Sequence, residues 1–149
     1  MYAARATRFA RVVAARPAVF GATAHRWHVQ PPLGADELAK LEATVGMLPD
    51  AYRWWIRQVS AGGAGPGYGL LPRGYDADNP DLSAAGERDW LLLADRGGGR
   101  WSVLQLADGC VHTLVTAPGE EVEFVEESPD FACWLDTWLG DCEAHRPSA

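Results

Sequence analysis

Apolar residues recur along this chain at two spacings, one helical and one of strand type, and the two kinds of stretch occupy different parts of the sequence. In residues 2–15, Tyr2, Ala6, Phe9 and Val13 fall at steps of four, three and four. That spacing predicts one apolar helix face, with Arg5, Arg8 and Arg11 elsewhere. Residues 17–34 are interrupted by prolines and are expected to be irregular. A second helix is predicted from Ala35, with Gly34 as its cap, Leu38, Leu41 and Val45 as its stripe and Gly46 as its stop. A third begins with Pro49 at the first helical position. Tyr52, Trp55, Ile56 and Val59 then lie at i, i+3, i+4 and i+7.

Beyond a polar loop at 74–88 the period changes. Trp90–Ala94, Trp101–Ala107, Cys110–Thr116 and Val122–Glu126 read as strands. Arg96–Arg100 is expected to turn the first into the second, and Ala117-Pro118-Gly119 the third into the fourth. Asp108-Gly109 predicts a two-residue hairpin turn with positive φ at both positions. Ser128 is expected to cap a last helix with Pro129 at its first position, and Phe131, Trp134, Leu135, Trp138 and Cys142 form its stripe. Helices, then a meander, then a helix predict an α+β fold, with an antiparallel sheet of about four or more strands packed with N-terminal helices and a C-terminal helix. Residues 1–149 are expected to form a single domain, with 1–19 as an N-terminal docking helix and 20–145 as the core.

Charge changes this picture in one respect. Residues 1–74 carry nine Arg and Lys against Asp36, Glu37, Glu42 and Asp50, a net of +5, and residues 75–149 carry four Arg against sixteen acids, a net of −12; together these give −7. The acidic half argues against nucleic acid as a direct ligand and favours a partner with a basic surface, or a well-solvated face. The start is rich in arginine and free of acids, as in organelle-targeting leaders, but no serine precedes Ser60, which favours an amphipathic helix. No apolar run has the length of a membrane span, and Cys110, Cys133 and Cys142 lack the spacing of a disulfide framework, so a cytoplasmic protein with reduced thiols is expected.

Residues 62–72, GGAGPGYGLLP, invite a phosphate-binding reading. Tyr68 stands where a Walker lysine is required, and a helix precedes the glycines instead of following them. The glycines are therefore expected to serve sharp turns and close backbone approach. The pairs His25/His28, Cys110/His112 and Cys142/His145 have the residue types of zinc ligands, but no CxxC or HExxH accompanies them, and no metal or cofactor is expected. No GxSxG surrounds a serine, and the carboxylate pairs Glu120-Glu121 and Glu126-Glu127 read as solvated loop or edge residues. No catalytic residue is assigned and no enzymatic activity is expected. Most of the seven tryptophans read as core; Trp54, opposite Trp55 and flanked by Arg53 and Arg57, is the candidate for an exposed contact.

The segments Leu38–Glu42, Gly46–Ile56 and Gly62–Pro72 resemble the SUKH superfamily, in its Smi-Knr branch, with similarities also at Phe20-Gly21, His25, Pro31-Pro32-Leu33, Trp101–Leu104 and Phe131–Leu139. Ser60-Ala61 stands where the family usually has Gly-Asn, and Arg73 where an apolar residue is common. The resemblance implies an α+β fold and, for bacterial members, an immunity protein that binds and neutralises a cognate polymorphic toxin, such as a nuclease. An acidic chain suits a basic toxin. The alternative is a regulatory or scaffold module for an endogenous cellular partner. The expected contact surface comprises Tyr68, Arg73, Tyr75, Asp76, Asp78 and Asp81, then Glu87, Asp89, Glu120, Glu121 and Glu123, with Trp54.

Overall fold

The computed structural model describes residues 2–71, 90–115 and 123–145. Its elements are α1 (Tyr2–Ala15), α2 (Ala22–His25), α3 (Ala35–Val45), α4 (Asp50–Gln58), β1 (Trp90–Gly97), β2 (Arg100–Gln105), β3 (Val111–Val115), β4 (Glu123–Ser128) and α5 (Phe131–Ala144). The strands form one antiparallel sheet in the order β1-β2-β3-β4, so the fold is α+β as predicted. Among the described residues no helix is long and apolar enough to cross a membrane.

The helical stripes become the core. Phe9 of α1, Tyr52, Trp55 and Ile56 of α4, and Phe131, Trp134, Leu135, Trp138 and Cys142 of α5 are buried in one cluster, and α1 adds Val12 in place of the expected Val13, which is only partly buried. Leu91, Leu93, Leu104 and Val111 join it from the helix-facing side of the sheet. Phe9 meets Trp55 edge-on at 5.1 Å and Trp138 at 6.3 Å, and this aromatic packing holds α1 down. Salt bridges line its margin. The Arg5 guanidinium donates to both carboxylate oxygens of Asp136 at 2.8 and 2.9 Å, and Arg8 reaches Glu143 at 2.6 Å. These hydrogen bonds hold both guanidinium pKa values above the ordinary arginine value. On the opposite face of the sheet, Trp90, Leu92, Val103 and Leu114 form a second, smaller cluster.

Four expectations are corrected. The 17–34 segment is not wholly irregular, because α2 interrupts it between Gly21 and Arg26, both in the left-handed region. The mirror-image turn lies at Gly98-Gly99, where both φ values are positive (61° and 78°) and Gly97 pairs with Arg100. At Asp108-Gly109 only Gly109 has positive φ (78°), and the β2–β3 connection is longer, because the Asp108 carboxylate turns back to accept the Cys110 N–H at 2.9 Å. Cys110 therefore lies outside β3 and does not share a strand face with His112. Finally, Ser128 does not cap α5. It pairs with Val111 as the end of β4, and Asp130 caps the helix by accepting the Cys133 N–H at 2.7 Å.

Candidate functional site

The glycine segment acts as a joint. Isolated bridges link Val29 to Gly63, Gly63 to Leu70 and Leu70 to Ala94, so the segment extends the sheet past the edge of β1. Most of its amide hydrogens are already committed. Gly63 donates to Leu70 O, Ala64 to His28 O, Tyr68 to Asp95 O, Gly69 to Pro66 O and Leu70 to Gly63 O, while Gly62 donates to the Ser60 hydroxyl. Amides turned inward in this way cannot cradle a phosphate. Space explains the glycines themselves. A Cβ on Gly63 would collide with the carbonyl oxygen of His28, and one on Gly21 with that of Gly67. Both residues also have positive φ (102° and 83°).

This joint presents one side chain outward. Tyr68 keeps 44% of its accessibility, lies against Phe20 at 5.2 Å, and places its hydroxyl near Gly97. Phe20 is 62% exposed. Large apolar side chains at such exposure, placed side by side, are what protein partners bury. Tyr68 is also part of the wall of an open groove of about 1040 Å³ between α2 and the glycine segment. Arg16, Arg26, Trp27 and His28 line it as well, and none of its described lining residues is acidic. Arg16, Arg26 and Trp27 have φ of 52°, 52° and 56°, and they are the non-glycine residues with positive φ among those described. Each such conformation costs about 1–2 kcal/mol.

His25 forms the inner wall. It is 7% exposed, and its Nδ1 accepts the Trp27 N–H at 3.0 Å, which places the proton of the neutral ring on Nε2. Burial lowers its pKa below the ordinary histidine value, so the fold favours the uncharged ring. This stabilisation is fully present above the unfolded value of about 6.5. It is lost as pH falls through the folded value, because the unfolded chain takes up a proton that the folded chain resists. The melting temperature of the wild type is expected to fall more steeply below pH 6.5 than that of His25→Asn, whose amide oxygen can accept the same N–H. Parallel melting profiles would contradict this assignment.

A second polar centre lies between the sheet and α5. His112 pairs with Glu126 and Val111 with Ser128, leaving Glu127 as an extra residue in a bulge. Its carboxylate accepts from Trp134 Nε1 at 2.6 Å, Arg96 Nη1 at 3.0 Å, Thr113 Oγ1 at 3.2 Å and Ser102 Oγ at 3.2 Å. Every donor comes from a different element, so Glu127 ties the sheet to α5. Burial pushes the Cys142 thiol up to about 12 and also raises Cys110 and Cys133, which disfavours the thiolate at each. Among the described residues no three His, Cys, Asp or Glu side chains come together to hold a metal ion.

Of the residues predicted as contacts, Tyr68 lies in the exposed pair and Glu123 is exposed at the start of β4. Tyr68, bonded to β1, and Glu123, on β4, occupy opposite edges of the sheet. Trp54 is half-buried, with its ring 5.5 Å from that of Tyr2 on α1. Its neighbours are also engaged: Arg53 with Glu42 at 3.2 Å, and Arg57 with the Leu33 carbonyl at 2.9 Å. Arg73, Tyr75, Asp76, Asp78, Asp81, Glu87, Asp89, Glu120 and Glu121 lie outside the described residues. Sequence reasoning did not single out Phe20, Arg16 or Arg26 as contacts. An exposed phenylalanine in a stretch with no helical stripe to absorb it was the available signal. Comparison with known proteins finds no match among family models, curated proteins or solved structures.

Proposed function

We propose that this chain is an immunity-type binding protein that neutralises a cognate protein toxin by docking onto it, without catalysis of its own. The observation that carries this reading is the exposed Phe20–Tyr68 pair, held by a glycine joint whose amides and free space are committed to backbone packing. A rigid aromatic contact on a fixed scaffold loses little conformational entropy on binding. The resemblance of Leu38–Glu42, Gly46–Ile56 and Gly62–Pro72 to SUKH immunity proteins supports the same reading. So does the acidic C-terminal half, which suits a partner with a basic surface.

The test is complex formation. Purified chain mixed with a candidate toxin domain taken from an adjacent gene is expected to co-elute as a stoichiometric complex, with association slowing as salt rises. Separate elution at micromolar concentrations would sink the proposal. An on-rate insensitive to salt would leave the acidic residues as solubilising surface.

A further inference from the structure

We propose that the groove between α2 and the glycine segment receives a short acidic segment of a protein partner, whose carboxylates meet Arg16 and Arg26 while an apolar side chain lies against Phe20 and Tyr68. The inference deepens the binding-protein reading and rests on it, because it states what the partner brings to this surface.

Three independent features lead here. The first is charge. Arg16, Arg26 and His28 line the groove, no described lining residue is acidic, and the chain has no acid before Asp36. Both arginines are exposed, and guanidinium groups bind carboxylates through paired, charge-assisted hydrogen bonds. The second is strain. All three described non-glycine residues with positive φ, Arg16, Arg26 and Trp27, line this one groove, and such strained positions cluster at ligand clamps. The third is shape. The groove is open and large enough for several residues of extended chain, and its wall at Tyr68 runs into the exposed Phe20.

Among the described residues the groove beside the β1 edge is basic, and Glu123 and Glu126 lie on β4 at the other edge. A partner of opposite pattern is oriented as it approaches. Single-stranded nucleic acid also suits arginine and exposed aromatics, so an oligonucleotide serves as the competing probe.

The test uses the full chain and three probes: an acetylated pentapeptide with four glutamates around a leucine, its lysine counterpart, and oligouridylate. Amide NMR reads the response. The glutamate peptide is expected to shift the signals of residues 16–30 and 63–71, and Arg16→Gln and Arg26→Gln are each expected to weaken its binding about tenfold while the remaining spectrum is unchanged. No shift at millimolar peptide, equal shifts with the lysine peptide, or tighter binding of oligouridylate would overturn the proposal. So would shifts of the same signals on raising protein concentration alone, which would make a second copy of the chain the occupant. The wild-type spectrum maps the site without any variant, so misfolding of a variant does not obscure the answer. A toxin complex that forms without peptide binding refutes this inference alone, whereas peptide binding without toxin binding refutes only the immunity reading.

Discussion

Gly63→Ala is expected to destabilise the protein by about 3 kcal/mol or more, a large share of the roughly 5–15 kcal/mol that holds a typical domain folded. Two costs combine. The residue has φ of 102°, which disfavours any side chain, and its new Cβ would overlap the His28 carbonyl oxygen. That carbonyl cannot simply withdraw, because it accepts the Ala64 N–H at 2.6 Å, within the ladder that joins Val29, Gly63, Leu70 and Ala94. Gly98→Ala separates the two costs. Gly98 also has positive φ (61°), but a Cβ there has nothing within 4 Å, so about 1 kcal/mol is expected. Denaturant unfolding of both variants provides the comparison. Equal losses would mean that the joint depends on glycine's flexibility and not on close backbone approach.

Glu127→Ala is expected to cost about 2–3 kcal/mol, since it leaves the Trp134 indole N–H and the Ser102 hydroxyl, both in buried residues, without their acceptor. Arg96 contributes less, because its side chain is 36% exposed and solvent can replace the carboxylate. Thr113→Val removes one donor at the rim and is expected to cost less than about 1 kcal/mol. Near-UV circular dichroism together with urea unfolding distinguishes the outcomes. If Glu127→Ala is as stable as the wild type, the carboxylate does not tie the sheet to α5.

These two residues also mark how far the sequence could be read. The helices and their buried stripes were legible because Phe131, Trp134, Leu135, Trp138 and Cys142 follow a period that only one helix face satisfies. The glycine segment was legible as a joint, since its glycines failed the phosphate-binding spacing and had to serve turns or close contact. Glu127 was not legible. In the sequence it is half of an acidic pair of the kind usually solvated, and only the bulge opposite Val111 and His112 turns its carboxylate toward Trp134. The cap of α5 was misread for a related reason: Ser128-Pro129 has the local chemistry of a helix start, but pairing with Val111 keeps Ser128 in the strand and moves the cap to Asp130. The hairpin signals were reordered in the same way. Asp108 uses its side chain to hold a longer loop, while Gly98-Gly99, with no side chains to resist positive φ, takes the tight turn.

The candidate surface was half legible. Tyr68 stood out because an aromatic among glycines has no stripe to join, yet whether it packs inward or outward is a tertiary matter. Its contact with Phe20 crosses 48 positions of sequence and depends on Gly21 and Gly67 approaching closely enough to exclude a Cβ. Trp54 shows the converse. Its helical position placed it away from the stripe of α4, but α1 supplies Tyr2 to cover part of its ring. No pattern local to α4 contains that information.

The central claim is the proposed neutralisation of a toxin through the Phe20–Tyr68 surface, and survival of cells producing a candidate toxin domain taken from a gene adjacent to that of this chain tests it most directly. Co-expression of the wild type is expected to restore growth, and the Phe20→Ala/Tyr68→Ala double variant, confirmed folded by its melting curve, is expected to lose protection. Death of cells that produce folded wild-type protein would contradict the account.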